Sequence, residues 1–274
     1  MKTPYALTML ALALSVPAFA SDAQHGGSDT VAAQNAALSR NTEGKGYGPQ
    51  APRDLNAKGG SNLRVFTAAP PASKMNLCNI HFHKNAEHKG GEFTVPADSG
   101  FKYAGKLTPA EAAPLSAEVC PSEHGGLQAG DTIELHYVHS TAQVTPGPTL
   151  NSCLSEADSN PQLRVEAQVM VLVNDAKAAD FAQLTKLGEV GGYQQALHIP
   201  KHMGKPIQYA GSTTGPSYNE KGSPLQVSWS VRPKVLKVNA ESVGAWCKAN
   251  VFKEDHGHGV RNLVIDAKLL APMN

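Results

Sequence analysis

The residues with the clearest chemical potential lie in two short runs. In Asn79-Ile80-His81-Phe82-His83, polar and apolar residues alternate, which reads as a β-strand. A strand puts His81 and His83 on one side, roughly 6.5–7 Å apart along the chain. Two imidazoles so related can grip one metal ion, although an isolated H-x-H is equally the mark of two surface histidines. In Ile133-Glu134-Leu135-His136-Tyr137-Val138-His139, Glu134 and His136 share one face, and Leu135, Tyr137 and His139 share the other. If this strand pairs beside the first, His136 completes a three-imidazole site. Three neutral histidines suit Zn²⁺ and leave a fourth tetrahedral position for water, the open arrangement of a catalytic zinc. Glu134 would then accept a hydrogen bond from a ligand's other ring nitrogen, fixing its tautomer and orientation. Six of the eleven histidines fall between positions 81 and 139, so this region is where a metal would be held.

The elements that must position these residues are mostly strands. Gly (25) and Pro (19) are frequent for a helical bundle, and the apolar runs are short and bounded by turns. Expected strands are Asn79–His83, Thr132–His139, Leu163–Val173, Leu225–Val231, Val235–Val238 and Leu263–Ile265; short helices are expected over Ala176–Leu187 and Asn239–Lys248. The predicted class is mainly β (α+β): a large, twisted, mostly antiparallel central sheet with a few short peripheral helices. Residues 21–60 are rich in Ser, Gly, Asn, Ala and Asp with weak apolar periodicity. They read as a flexible leader that can wrap the domain, with a short helix around Asp29–Ser39. The remainder, 61–274, reads as one catalytic domain.

Met1-Lys2, the apolar stretch Ala6–Val16 and Ala18-Phe19-Ala20 predict a signal peptide over 1–20, cleaved after Ala20, and hence a periplasmic or secreted protein. No later segment approaches the ~18 apolar residues of a membrane span. In an oxidising compartment Cys78, Cys120, Cys153 and Cys247 predict two disulfides, and of the three connectivities we expect Cys78–Cys247 with Cys120–Cys153. Lys2 is the one charge among the first twenty residues, so the remaining chain carries 23 basic and 23 acidic groups. A neutral chain lacks the long-range pull on nucleic acid or anionic lipid, which argues against both as partners.

His81-Phe82-His83, Glu87-His88 and Glu134-Leu135-His136-Tyr137-Val138-His139 resemble, in order, the H-F-H-W-G, S-E-H and E-L-H-L-V-H motifs of α-class carbonic anhydrases. Tyr209-Ala210-Gly211-Ser212-Thr213-Thr214-Gly215-Pro216 and Val227-Ser228-Trp229-Ser230-Val231 are similar to that family's Y-x-G-S-L-T-T-P-P and V-x-W-x-V. Only three residues separate His83 from Glu87, however, and Cys78–His88 looks closer to the C-P-V-N-V-H-W-H-L-G-x-E-H block of δ-class carbonic anhydrases. Glu134–Ser140 likewise resembles their E-V-H-W-P-H-S. The chain is therefore identified as resembling a bacterial δ-class carbonic anhydrase with an α-class-like sheet.

The resemblance implies a zinc enzyme that hydrates CO₂ to bicarbonate and a proton by attack of zinc-bound hydroxide. It implies His81, His83 and His136 as zinc ligands, with Glu134 and His88 supporting them. It makes Thr214 the gating threonine, with Thr213 as the alternative, and Glu87 the glutamate to which that hydroxyl donates. His88 could instead be the third ligand, because H-x-H-x₄-H binds metals locally; Glu134 favours His136. His139 reads as a packing residue and Arg261 as structural. Candidate proton-shuttle histidines are His124, His198, His202, His256 and His258. Two other readings compete. H-x-H-x₃-E satisfies the core of a cupin motif, which would need Glu87 on the metal, and an anhydrase-like scaffold can serve as a non-catalytic metal- or ligand-binding domain.

Overall fold

The computed structural model describes residues 53–57, 60–61, 66–123, 125–212, 225–260 and 267–270, with helical positions between 32 and 40. Its strands are β1 (Asn76–Lys84), β2 (Phe93–Pro96), β3 (Phe101–Tyr103), β4 (Thr132–Ser140), β5 (Leu163–Val173), β6 (Leu187–Val190), β7 (Tyr193–Ala196), β8 (Ile207–Ser212) and β9 (Gln226–Asn239). Two helices are α1 (Phe181–Leu184) and α2 (Ala240–Lys248). Five strands form the central sheet in the order β1-β4-β5-β9-β8, while β2-β3 and β6-β7 are two-stranded. The β5–β9 pair is parallel and the other central pairs are antiparallel, so the sheet is mixed. The expected Leu225–Val231 and Val235–Val238 strands are one continuous strand, because Pro233 falls at the bulge where β5 skips from Gln168 to Met170. The expected strand at 263–265 and the signal peptide lie outside the described residues. No described helix is long and apolar enough to cross a membrane.

Alternation gives the sheet two different faces. Ile80, Phe82, Ile133, Leu135, Tyr137, Met170 and Leu172 point to the back, where Phe181, Val243, Trp246 and Phe252 cover them. Asn239 caps α2 by accepting the Ser242 backbone N–H at 2.8 Å. Val138, Val165, Ala167, Val169, Tyr209, Trp229 and Val231 line the front, which carries the histidines. Burying each large side chain on these faces is worth about 1.5–3 kcal/mol, and that holds the sheet against its cover.

A bulge between Leu77 and Asn79 sets which residues face forward. It sends Leu77 into the back core and Asn79, two residues later, to the front; a regular strand would put both on one side. Cys78 sits in the bulge. The disulfides are Cys78–Cys153 and Cys120–Cys247, which corrects the pairing expected from sequence. The reason is spatial: Cys78 and Cys153 belong to the front core, whereas Cys120 and Cys247 lie in the back core, where α2 packs. A Cys78–Cys247 bond would have to cross the sheet. Non-reducing peptide mapping should recover these two linkages, and the Cys120→Ala/Cys247→Ala pair should lose about 2–5 kcal/mol in denaturant unfolding.

Candidate metal centre

The antiparallel register sets His81 opposite His136 and His83 opposite Glu134. Residues directly opposed on such a pair share a face, so all four side chains meet on the front. Next to His136 on β5 stands Ala167, whose small side chain leaves room for the imidazole. Trp229 on β9 then closes the inner wall, its ring 5.2 Å from that of His136.

Each histidine has one ring nitrogen committed to a neighbour. His81 Nδ1 lies 2.6 Å from Asn79 Oδ1, and Asn79 cannot flip freely because its Nδ2 donates to the Gly147 carbonyl at 3.1 Å. His83 Nδ1 donates to the Gly259 carbonyl at 2.9 Å. His136 Nε2 donates to Glu134 Oε1 at 3.0 Å. Oxygen acceptors force these nitrogens to carry hydrogen, which leaves His81 Nε2, His83 Nε2 and His136 Nδ1 with bare lone pairs. His81 Nε2 and His136 Nδ1 are 3.3 Å apart, and one nitrogen from each of the three rings falls within 4.8 Å of the others. Two lone pairs at that distance repel unless a cation lies between them. The edge of a tetrahedral site with metal–nitrogen bonds of about 2.0–2.1 Å is about 3.3–3.4 Å, so the donor set fits zinc. Burial, then the neighbouring histidines, holds His81 well below the usual imidazole range, and burial foremost lowers His83 to about 4. Neutral imidazoles are the form a metal binds.

Glu134 is fully buried and its oxygens are all taken. Oε2 accepts the backbone N–H groups of Glu87 at 2.7 Å and His88 at 3.0 Å, and Oε1 accepts His88 Nδ1 at 2.5 Å as well as His136. Burial opposes its ionisation, but His88, the His136 bond and the other donors outweigh that and hold it well below the carboxylate range. His88 is also bound at its second nitrogen, by the Tyr209 hydroxyl. His88, Glu134 and His136 form a second cluster of metal-binding types, yet every nitrogen and oxygen that could ligate there, except His136 Nδ1, is already hydrogen-bonded. The geometry thus groups His136, not His88, with His81 and His83.

Glu87 lies beside the site. Its Oε2 is 3.5 Å from His83 Nε2, while Oε1 pairs with Arg53, and it is not among the grouped ligand atoms. A cupin-type site would need Glu87 among the ligands. Thr213, Thr214, Arg261 and His124 lie outside the described residues. His198 contacts the Gln183 carbonyl at 2.9 Å and His202 is exposed. His258 is different: its ring centroid lies 5.7 Å from His81 and 5.9 Å from His83, and His256 follows at 5.4 Å. A bridge from His258 to β1 holds it there, with Lys84 N–H donating to its carbonyl at 2.8 Å. Gly257 permits that approach; a Cβ there would lie 3.1 Å from both Lys84 N and Phe82.

Two supporting groups carry no usable signal in the sequence. Gly259 acts through a backbone carbonyl. Arg53 sits in the segment read as leader, yet it is buried against Glu87 and Trp229.

The family model for delta carbonic anhydrases matches residues 72–242. The chain belongs to that family. Among solved structures, it is similar to a hyperthermostable carbonic anhydrase identified from an active hydrothermal vent chimney (16% identity, 82% of this chain and 88% of that one covered, TM-score 0.29). It is also similar to the alpha-carbonic anhydrase from Thermovibrio ammonificans, solved with the inhibitor sulfanilamide (16%, 78% and 84%, TM-score 0.27). A third is the Photobacterium profundum alpha-carbonic anhydrase (14%, 90% and 98%, TM-score 0.29). No curated protein matches this chain.

Metal content by mass spectrometry should separate the two histidines. His136→Ala should lose stoichiometric metal, His88→Ala should keep it, and Asn79→Ala should weaken binding by about 10–100-fold. The opposite pattern for His136 and His88 would move the site.

On the back face, His139 packs fully buried, with Nδ1 on the Tyr137 carbonyl at 3.1 Å and Nε2 unpartnered among the described residues. Burial lowers it to about 4. The unfolded chain, with an ordinary histidine pKa, binds this proton first as pH falls, so stability is lost between about pH 6.5 and 4. Urea unfolding at pH 7 and pH 4.5 should show that His139→Gln gains about 2–3 kcal/mol relative to the parent over that interval. Parallel pH dependences would contradict this.

Proposed function

We propose that this chain is a zinc-dependent carbonic anhydrase that interconverts CO₂ and water with bicarbonate and a proton. The observation that carries the reading is the trio of bare imidazole nitrogens, each backed by an oxygen acceptor, within a delta carbonic anhydrase chain. His81, His83 and His136 would hold Zn²⁺. Bound there, the ion supplies a Lewis acid that lowers the pKa of water to about 7.

The protein's own groups do the rest. Asn79, the Gly259 carbonyl and Glu134 fix the three rings, so the ligand atoms need no rearrangement when metal arrives. Three neutral ligands leave the metal's full charge available to polarise water; a carboxylate ligand would blunt it. His81 is only partly buried, so the site opens to solvent on its side. Glu87 stands ionised beside His83: burial opposes this, but Arg53 and the histidines lower it to about 2. An ionised carboxylate accepts a hydrogen bond from a hydroxyl, and the sequence resemblance makes Thr214 that donor.

The released proton must leave the site. His258 stands next to the ligands with its side chain 37% exposed, its Nε2 lies 2.6 Å from Glu254 Oε2, and His256 continues outward. We take His258, then His256, as the relay to bulk buffer. Export to the periplasm or beyond fits the signal-like 1–20 segment and the two disulfides. A small neutral substrate also fits a chain whose charges balance after that segment is removed.

Stopped-flow CO₂ hydration by the zinc-loaded protein tests the reading. The expected result is a rate well above buffer that a chelator abolishes; no rate with stoichiometric zinc would overturn it. In dilute buffer His258→Ala should slow turnover by at least about tenfold, and added imidazole should restore it.

A further inference from the structure

His81 is oriented by Asn79, a side chain with two ends of nearly equal shape. Its Oδ1 stands 2.6 Å from His81 Nδ1 only while its Nδ2 points the other way, to the Gly147 carbonyl at 3.1 Å. With the amide turned over, Oδ1 would face that carbonyl oxygen, acceptor against acceptor, and Nδ2 would donate to His81 Nδ1. The imidazole would then carry its hydrogen on Nε2, the nitrogen a metal needs bare. The Gly147 carbonyl therefore decides which tautomer His81 adopts.

Gly147 belongs to a strap, residues 141–153, that leaves the end of β4 and runs to Cys153. At its start Asn76 Nδ2 donates to the Ala142 carbonyl at 3.1 Å, and Val144 rests against the front core. At its end Cys153 is bonded to Cys78, and its carbonyl accepts Ser140 Oγ at 2.7 Å. Ser152 folds back from that end. Its Oγ donates to the Pro148 carbonyl at 2.7 Å, and a Cβ added to Gly147 would lie 2.7 Å from that oxygen. The cross-link thus reaches Gly147 through Ser152 and Pro148. It also reaches Gly147 from β1, because Cys78 precedes Asn79 and its carbonyl accepts the Gly147 N–H at 3.0 Å. On its other side the strap borders an open groove of about 760 Å³, lined by Pro146, Gly147, Ser152 and Gln194 among others.

We propose that the Cys78–Cys153 disulfide is a positioning element of the metal centre: it holds the Gly147 carbonyl against Asn79 and so keeps His81 in the tautomer whose Nε2 is free. The inference rests on the zinc reading above and gives one of the two cross-links a part in the site. Cys120–Cys247 has no such part, because it lies in the back core, away from the histidines. Without the Cys78–Cys153 bond the strap loses its covalent end, and the Asn79 amide is free to turn.

The test compares three full-length chains: the parent, Cys78→Ser/Cys153→Ser, and Cys120→Ser/Cys247→Ser as a control. Zinc affinity is read by competition with a chelator. The His81 tautomer is read by ¹⁵N-imidazole NMR of the metal-free protein at pH 7, with melting temperature measured alongside. The parent should show one tautomer, with hydrogen on Nδ1. Cys78→Ser/Cys153→Ser should bind zinc at least about tenfold more weakly and show the second tautomer. The control should stay within about threefold of the parent and keep one tautomer. A merely structural role would lower the melting temperature of both variants and leave the His81 tautomer alone. Overturning results are parental zinc affinity in Cys78→Ser/Cys153→Ser, an unchanged tautomer there, or equal weakening of zinc in both variants. If that variant does not fold, Cys78→Ala/Cys153→Val, which fills the space with apolar groups, is read in the same way. If neither folds, the parent decides. Coupling is mutual, so zinc should slow exchange of the Gly147 N–H by at least about tenfold, and an unchanged rate would overturn the proposal. A parent with one His81 tautomer that binds no zinc would sink the zinc reading alone, since the tautomer series still reads the disulfide.

Discussion

Glu134 is the constraint on which the centre depends. A carboxylate at zero exposure is tolerable only when its lone pairs are filled, and four N–H groups converge on this one. Two come from the backbone at Glu87 and His88, and they dock the loop after β1 against β4. The other two are imidazole donors, and they settle which nitrogen of His136 is left free. One buried charge thereby fixes the position of Glu87, the orientation of His88 and the tautomer of His136. The low-dielectric surroundings that make an unpaired carboxylate costly also make this network stiff.

Stiffness extends outward by different means around the three histidines. His81 is fixed through Asn79, which is held by Gly147, which in turn hydrogen-bonds the Cys78 carbonyl at 3.0 Å near the Cys78–Cys153 disulfide. His83 is fixed by the segment around Gly259, which bridges to the outer edge of β1. Trp229 and Tyr209 stack at 6.2 Å on the inner side and exclude solvent there. The site is assembled from regions far apart in the chain because one sheet brings β1, β4, β8 and β9 together. Pre-set ligands leave little reorganisation for metal binding.

Much of this arrangement is legible in the residues themselves. The strands at 132–139 and 163–173 announce themselves by length and apolar content, and α2 by the Asn239 cap ahead of an amphipathic run. His81, His83, Glu134 and His136 are readable as one face because strand alternation is strict and Glu134 sits two residues from a histidine. What does not show has physical reasons. The disulfide pairing depends on which face of the sheet each cysteine reaches, and the bulge at Cys78 alters that. A carbonyl such as that of Gly259 leaves no trace in residue type. Arg53 lies in a stretch with almost no periodicity, so nothing local marks it as buried; its partners are defined only when the loop at 87–90 folds against it.

The central claim is that three histidines, each oriented by an oxygen acceptor, hold one metal with a position left open. Diffraction from crystals of the zinc-loaded protein, recorded at the zinc absorption edge, tests it most directly. The account predicts one strong anomalous peak about 2.0–2.1 Å from His81 Nε2, His83 Nε2 and His136 Nδ1, with solvent as the fourth ligand. A peak ligated by His88 or by Glu87, or none at these histidines in metal-replete protein, would contradict it.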